Sequence, residues 1–332
     1  MTKLSLLDLL HVTEGGDVRR SLANAVDMAR HAEALGFERY WCAEHHGMEG
    51  IASAATSVVI GHVAAGTEKI RVGAGGIMLP NHSPLVIAEQ FGTLDALFPG
   101  RIDLGLGRAP GSDQRVAAAL RRNLDSNPDA FPREGVELRG YFADDGRTGI
   151  RATPGAGADV QLYILGSSLF GAQVAAMLGL PYAFASHFAP QALDDALKIY
   201  RDRFEPSAVL SEPYAICGYN VFAADTEEEA QLLASSMQQS FVRLRTGQPG
   251  KLPPPVEGYR ENLPPQLSGM LDGVLSATAI GTRDQVREQM NAFVERTQAD
   301  ELIIAGSIYD HEARKRSLAL AAEAFAGEPA AA

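Results

Sequence analysis

The chain has 332 residues, of which 46% are hydrophobic and 21% are charged, with 33 glycines and 18 prolines. This composition is ordinary for a globular enzyme, and it excludes disorder on a large scale. The 29 basic and 41 acidic residues give a formal charge of -12, which argues against nucleic acid as a partner.

Eight short apolar runs alternate with helical patterns along the chain, and each run has the length and residue types of a buried strand. The candidate strands cover residues 3–9, 38–43, 69–76, 101–107, 160–166, 182–186, 214–224 and 301–306. Helical patterns between them include residues 17–36, 83–100, 169–179, 226–244 and 282–298. Eight strands alternating with helices predict an α/β fold, a (β/α)8 TIM barrel that forms one domain over residues 1–332. The main alternative is a doubly wound open sheet with an added domain.

Two long segments interrupt the alternation. One follows the fourth strand, and the other follows the seventh strand and is rich in proline and glycine around residues 246–275. Long loops at the carboxyl end of a barrel commonly cover the active site. The sequence therefore predicts insertions after strands 4 and 7 that contribute to the walls of a substrate pocket.

Polar residues follow the second strand, where a barrel places its chemistry. The stretch "CAEHH" ends with Glu44, His45 and His46. Neighbouring side chains on a strand point to opposite faces, so both histidines can reach one site only where the chain has turned. An ordinary interpretation is one histidine held by a local hydrogen bond and one solvated histidine.

The third strand is unusual because small residues crowd its end, in the stretch "GAGGIMLPNHSP". Glycine weakens the interior of a strand, so Gly75 and Gly76 indicate either close approach of a ligand or a strained backbone. A flat ring could lie against this segment. Small residues that make room for a neighbouring helix are the alternative.

The fifth strand passes directly into a helix, in the stretch "YILGSSLFGAQ". Gly166 ends the strand, Ser167 and Ser168 follow, and Gly171 lies in the first turns of the helix. Free amides at a helix N-terminus bind anions, although a serine that caps the helix would give the same pattern. Arg108, at the end of the adjoining fourth strand, favours a phosphate-bearing ligand because a guanidinium binds two phosphate oxygens in one plane.

Five motifs in order resemble the bacterial luciferase family of flavin-dependent monooxygenases: "ERYWCAEHH", "VGAGGIMLPNHSPL", "GRIDLGLGR", "LYILGSS" and "ASHFAP". The resemblance covers nearly the whole chain, and "LGRAPGSD" is similar to the single-chain branch of luciferase-like oxidoreductases. It implies a (β/α)8 barrel, usually a homodimer, that binds FMN with its phosphate outside strands four and five. The flavin ring would lie over a bulged third strand.

The resemblance also implies roles for particular residues. His45 matches the catalytic histidine, and His187 in "ASHFAP" is a second candidate for the wall of the site. Gly75 and Gly76 match a pair joined by a cis peptide bond behind the flavin. Contacts to the FMN phosphate are implied for Arg108, Gly166, Ser167, Ser168 and Gly171.

Two positions depart from the luciferases. Gly107 stands where they carry a reactive cysteine, and Ser167 stands where they have a carboxylate that contacts the phosphate. Light emission is therefore not implied.

The expected activity is oxidation of a small organic substrate with reduced FMN and O2, in which His45 supplies a hydrogen bond and shuttles a proton. No dinucleotide-binding GxGxxG motif follows the first strand, so a separate flavin reductase is a possible partner. One alternative uses the deazaflavin F420 and transfers hydride without O2. Others are a flavin-binding protein without catalysis and a metal-dependent barrel hydrolase with Glu44, His45 and His46 as ligands.

The location of the protein follows from its cysteines and its apolar segments. Cys42 and Cys217 lie in apolar runs without CxxC spacing, which indicates neither a disulfide framework nor a thiolate metal site. No apolar stretch approaches the roughly 20 residues that span a bilayer. The sequence predicts a cytoplasmic protein that does not enter the membrane.

Overall fold

The computed structural model describes residues 2–108, 114–120, 130–146 and 148–325, and these residues fold into one sheet with surrounding helices. The strands, in chain order, are β1 (Lys3–Asp8), β2 (Arg39–Cys42), β3 (Arg71–Met78), β4 (Ile102–Gly107), β5 (Gln161–Gly166), β6 (Tyr182–Phe184), β7 (Ala215–Ala223), β8 (Thr278–Gly281) and β9 (Glu301–Ala305). The helices are α1 (Val18–Ala34), α2 (Thr56–Ala65), α3 (Pro84–Leu97), α4 (Gln114–Leu120), α5 (Phe131–Ala143), α6 (Leu169–Leu178), α7 (Leu193–Asp202), α8 (Glu227–Arg245), α9 (Pro265–Leu275), α10 (Arg283–Thr297) and α11 (His311–Phe325).

The sheet closes on itself. Strands β1 to β7 pair in parallel with their neighbours in order, and β9 completes the ring by pairing with both β7 and β1. Eight parallel strands surrounded by helices confirm the predicted (β/α)8 barrel. The short β6 pairs with residues 215–217 of β7, and β8 pairs with residues 220–223, so β8 extends the barrel wall beyond β6.

The eight predicted strands correspond to β1 to β7 and β9, but the strand β8 was not predicted. Its four residues are too few to show an alternating pattern. The segment around 246–275, predicted as an excursion, also contains α9. Among the predicted helices, α1 begins at Asp17, whose side chain accepts a hydrogen bond from Arg20, and the following Gly36 has the left-handed φ of 80° expected of a helix end.

The end of the third strand differs from the prediction. Strand β3 continues to Met78, so Gly75 and Gly76 lie inside the strand and not at its end. The register with β4 shifts between Ala74 and Ile77, which is the signature of a bulge. The bulge allows the strand to continue through glycines that sequence reasoning took for its end.

The barrel interior is apolar in its middle and polar at its amino end. Trp41, Tyr163 and other buried side chains fill the middle. At the amino end, the guanidinium of Arg39 donates to both oxygens of Glu301, at 2.8 and 3.1 Å, to Asp103 at 2.7 Å and to Tyr163 at 2.6 Å. Because this network fills the amino end, the carboxyl end of the barrel is where a ligand could enter. We call this end the barrel mouth.

The insertion after β7 lies over the barrel mouth. Leu252 pairs with the segment after β1, donating to the carbonyl of Val12 at 2.9 Å and accepting from the amide of Glu14 at 2.8 Å. Arg243, near the end of α8, forms an ion pair with Glu14 at 2.7 Å. The end of α8 and residues 250–254 therefore cover the carboxyl ends of the first strands. Within the described ranges, no helix is long and apolar enough to cross a membrane.

Candidate active site

The turn after β2 is organised around one buried carboxylate. Oxygen Oε1 of Glu44 lies 2.8 Å from Nε2 of His46 and 2.8 Å from Nε2 of His82, and Oε2 accepts the backbone N–H of Met78 at 3.1 Å. Burial alone would raise the pKa of Glu44, but the hydrogen bonds and charge of His82, His46 and the amide hold it below its ordinary value. Glu44 and His46 therefore hold the turn, which fits the ordinary interpretation of one histidine kept by a local hydrogen bond.

His82 was noted in the sequence only as a residue after the third strand, and no role was predicted for it. It joins Glu44 and His46 in a group whose potential ligand atoms lie within 4.8 Å of one another. Such a group can in principle hold a metal ion. The predicted hydrolase alternative used His45 as the third ligand, whereas the structure places His82 in that position.

Three histidines follow strands at the barrel mouth, His45 after β2, His187 after β6 and His11 after β1, and His45 lies near enough for its charge to act on the other two. Desolvation, with a smaller contribution from the charge of His45, lowers the pKa of His187 to about 4. Desolvation also lowers the pKa of His11 to about 4, with contributions from Arg314 and His45. Both rings are therefore neutral near pH 7, and each can donate and accept one hydrogen bond. Nε2 of His11 lies 2.8 Å from the hydroxyl of Ser307.

His187 is held by its neighbours in the barrel wall. Its ring occupies the space where a side chain on Gly218 would lie, and its backbone carbonyl accepts a hydrogen bond from Nδ2 of Asn220 at 2.7 Å. The hydroxyl of Ser186 donates to the carbonyl of Gly218 at 2.6 Å. Nδ1 of His187 is buried and has no hydrogen-bond partner among the described residues. The ring thus forms a fixed wall of the barrel mouth.

The junction between β5 and α6 brings together the residues predicted to bind phosphate. Ser168 occupies the N-cap position of α6, but its side chain makes no capping hydrogen bond, and both Ser167 and Ser168 are exposed. The guanidinium carbon of Arg108 lies 4.2 Å from the ring centroid of Phe170, in the first turn of the same helix. A cation, exposed hydroxyls and uncapped helix amides therefore meet at one point, which is the composition of an anion site.

Two glycines allow this junction to be tight. A side-chain carbon on Gly171 would lie 3.3 Å from both Gly166 and Tyr182. The hydroxyl of Tyr182 donates to the carbonyl of Ser168 at 3.2 Å and fixes the turn. The glycines thus keep strand, turn and helix close enough for the exposed serines to stand beside Arg108.

The peptide bond between Gly75 and Gly76 is cis, as predicted. A side-chain carbon on Gly75 would lie 2.9 Å from both Leu7 and Trp41, and one on Gly76 would lie 2.5 Å from the carbonyl oxygen of Gly105. Packing against protein atoms is thus enough to require glycine at both positions. Contact with a flavin ring remains a prediction.

Two features of the site escaped sequence reasoning or lie outside the structure. No role was predicted for His11, although "LDLLHV" places this histidine three residues after β1, at the end of a barrel strand. Residues 109–113 of the motif "LGRAPGSD" lie outside the described residues.

Comparison with known proteins places this chain in a family. Residues 2–301 match the family model for luciferase-like monooxygenases. A luciferase-like monooxygenase of Escherichia coli strain K12 is 52% identical over 318 residues, covering 96% of this chain and 95% of that protein. The N-acetyl-S-alkylcysteine monooxygenase of Bacillus subtilis strain 168 is 32% identical over 335 residues, covering 98% of both chains.

Solved structures agree with the family match. The crystal structure of apo-MsnO8 superposes with a TM-score of 0.89 at 35% identity, covering 99% of this chain and 100% of that one. The oxygenating constituent of 3,6-diketocamphane monooxygenase from Pseudomonas putida, in complex with FMN, gives a TM-score of 0.70 at 17% identity, covering 97% of each chain. An F420-dependent secondary alcohol dehydrogenase gives 0.66 at 16% identity, covering 96% and 99%. The last two share the fold.

Proposed function

Since the chain belongs to the luciferase-like monooxygenase family and is a flavin-dependent monooxygenase, we propose that its cofactor is reduced FMN, used with O2 to oxygenate a small organic substrate. One oxygen atom would enter the substrate and the other would leave as water, with the two electrons supplied by the flavin. The observation that carries the choice of FMN is the anion site formed by Arg108, Ser167 and Ser168 at the N-terminus of α6.

The anion site fits a flavin phosphate in both charge and position. The guanidinium carbon of Arg108 lies over the ring of Phe170, and this contact with an aromatic ring occupies none of the guanidinium N–H groups that can bind phosphate oxygens. No hydrogen bond or ion pair uses these groups within the described part of the chain. The site opens at the carboxyl end of β4 and β5, the same end of the barrel as His45 and His187. A flavin held there by its phosphate can extend toward the histidines.

His45 would provide the acid–base chemistry. It is partly buried, on a turn fixed by the hydrogen bonds of Glu44, and it lies near two neutral imidazoles. An imidazole in this position can donate a hydrogen bond to a reacting oxygen and deliver a proton when that oxygen leaves. His187 would form the opposite wall and, with α8, exclude water from the site.

Two alternative functions can be distinguished by reconstituting the protein with each reduced cofactor. An F420-dependent enzyme would transfer hydride to its substrate without consuming O2, and a flavin-binding protein without catalysis would bind FMN without product. Oxygen uptake measured with each reduced cofactor, across a panel of aldehydes, ketones, thioethers and sulfonates, distinguishes them. A metal-dependent hydrolase at Glu44, His46 and His82 predicts instead a stoichiometric metal ion and no flavin spectrum.

The decisive experiment compares FMN with riboflavin, which lacks the phosphate. Arg108→Ala should weaken FMN by about 2 to 3 kcal/mol, the usual contribution of hydrogen bonds to a charged group, and should hardly change riboflavin. Ser168→Ala should show the same selectivity with a smaller effect. Fluorescence titration of both flavins against the wild type and the two variants measures the six affinities. Equal losses for both flavins would mean that Arg108 supports the fold and does not bind the phosphate.

We also infer a homodimer. The neighbouring helices α2 and α3 expose Val58, Val86 and Leu97, at 71%, 44% and 64%, and the acidic residues of α3, Glu89 and Asp95, are only half-exposed. A largely apolar surface of this kind suits contact with a second copy. Val58→Asp should then shift the mass measured by light scattering from dimer to monomer, whereas an unchanged mass would contradict this surface.

Two further proposals concern the cell. Reduced FMN would come from a separate flavin reductase, which is tested by adding a reductase and NADH in place of chemically reduced FMN. A cytoplasmic location is supported by Cys42 and Cys217, which are both free and buried.

A further inference from the structure

The end of α8 carries a second arginine at the barrel mouth, and it stands against two aromatic rings. The guanidinium carbon of Arg245 lies 5.2 Å from the ring centroid of Phe188 and 5.0 Å from that of Phe241. The two rings are 6.2 Å apart at an angle of 68°. Phe188 is 41% exposed, although it directly follows His187. The guanidinium and the rings thus form an open corner beside the proposed catalytic wall.

The guanidinium N–H groups of Arg245 have no acceptor among the described residues. Over the described ranges, Arg245 forms no ion pair and no hydrogen bond, whereas Arg243, two residues earlier, is paired with Glu14. Contact with ring faces leaves the donors at the edge of a guanidinium available, and they match the two oxygens of a carboxylate.

The structure of the helix end does not require this cation. A positive charge near a helix C-terminus is favourable, and that alone could account for an arginine here. However, the last carbonyls of α8 are already satisfied: Val242 accepts from the hydroxyl of Thr246 at 2.9 Å, Arg243 from the amide of Gln248 at 2.8 Å, and Leu244 from the amide of Gly247 at 3.2 Å. Arg245 therefore remains free to serve a ligand.

The charges around the barrel mouth make Arg245 important for an anionic ligand. A protein of formal charge -12 repels anions at long range, so binding depends on local cations. His11 and His187 have pKa values near 4 and supply no positive charge at neutral pH. Arg108 is assigned to the flavin phosphate at the β5–α6 junction, whereas Arg245 stands beside the residue after His187, beyond β6.

We propose that Arg245, Phe188 and Phe241 bind a carboxylate of the organic substrate, with the apolar part of that substrate lying along the two rings toward His187. This inference rests on the proposed function, because it identifies the substrate class as a carboxylate with an apolar chain. Arg245 would select substrates by binding their carboxylate and would take no part in the oxygen-transfer step.

The test uses a matched pair of ligands, 4-phenylbutanoate and its neutral amide, 4-phenylbutanamide. Isothermal titration calorimetry of FMN-saturated protein at neutral pH should give an affinity at least about tenfold higher for the acid than for the amide. Arg245→Ala should remove this preference by weakening the acid alone, and Arg245→Lys should retain part of it. Arg203→Ala is the control, because it removes the same charge from an exposed position at the C-terminus of α7.

Three results would overturn the inference: no measurable binding of the acid, equal affinities for acid and amide in the wild type, or a preference that survives in Arg245→Ala. A loss of FMN affinity in Arg245→Ala as large as that in Arg108→Ala would also overturn it, because Arg245 would then hold the phosphate. If the wild type fails to bind FMN, the proposed function falls, and the preference for the acid is measured on flavin-free protein, where it still decides the role of Arg245.

Discussion

The two neutral histidines at the barrel mouth should make the protein sensitive to mild acid. His187 has a folded-state pKa of about 4 against an ordinary value of 6.5, mainly because it is desolvated. Between these values the unfolded chain binds more protons than the folded one, so stability rises with pH across this window and falls as pH decreases below 6.5. For a single histidine, the loss between pH 7 and pH 5 is about 2 kcal/mol. His11, with a similar pKa, adds a loss of the same sign.

The perturbation that isolates this effect is His187→Asn, which removes the titrating group and keeps a polar side chain of moderate size. Urea unfolding of flavin-free protein at pH 7 and pH 5 gives the free energy of unfolding for each variant. The wild type should lose more stability than His187→Asn between the two values, by about 2 kcal/mol. The absolute stability of the variant at pH 7 is not the readout, because the substitution also changes packing.

If His187→Asn and the wild type lose the same free energy over this interval, then the imidazole of His187 is not kept neutral by its surroundings, and the reasoning from desolvation is refuted.

Three other substitutions test the parts of the site separately. Glu44→Gln replaces the buried acceptor of two imidazoles and should lower the free energy of unfolding by about 2 to 3 kcal/mol in urea titrations, whereas a change near zero would show that this carboxylate does not hold the turn. Gly218→Ala places a carbon where the ring of His187 lies, so it should lower the free energy of unfolding by about 1 to 3 kcal/mol and reduce the product formed per FMN oxidised. A variant with the stability and the product yield of the wild type would argue against a fixed wall. His45→Ala should keep FMN affinity within a few fold while product formation falls by about 100-fold, and unchanged product yield in oxygen-uptake assays would exclude acid–base catalysis by His45.

The barrel could be predicted because its eight strands are buried on both faces and therefore appear as separate apolar runs. What the sequence could not show is where a strand passes through glycines. Gly75 and Gly76 read as a strand end, because glycine is rare inside strands, yet the bulge in β3 places them in the middle. The strand β8 was missed for another reason, since four residues are too short for any periodicity.

Only those residues of the candidate site that lie next to a strand end in the sequence could be predicted. Residues adjacent in sequence to a strand end, such as His45, Arg108 and Ser168, could be found by following the chain. The residues that contact them could not be found in this way, because they come from distant segments of the chain. His82, which follows β3, contacts Glu44 after β2, and Arg245, at the end of α8, contacts Phe188 after β6. Such pairs depend on the three-dimensional path of loops, which no local pattern encodes.

The distribution of charge along the barrel axis separates stability from chemistry. At the amino end, the guanidinium of Arg39 is enclosed by two carboxylates and a phenol, so removing either carboxylate takes away one of its two buried counter-charges and should destabilise the fold without changing the site. At the mouth the buried imidazoles of His11 and His187 are neutral, and the buried carboxylate of Glu44 is held by His46 and His82. Arg108 and Arg245, which form no ion pair within the described residues, stand against aromatic rings at the edge of the mouth and can hold the ionic ends of flavin and substrate. Substitutions of charged residues at the amino end should therefore lower the free energy of unfolding and leave ligand affinity unchanged. Substitutions of the two arginines at the mouth should lower ligand affinity and leave the free energy of unfolding unchanged.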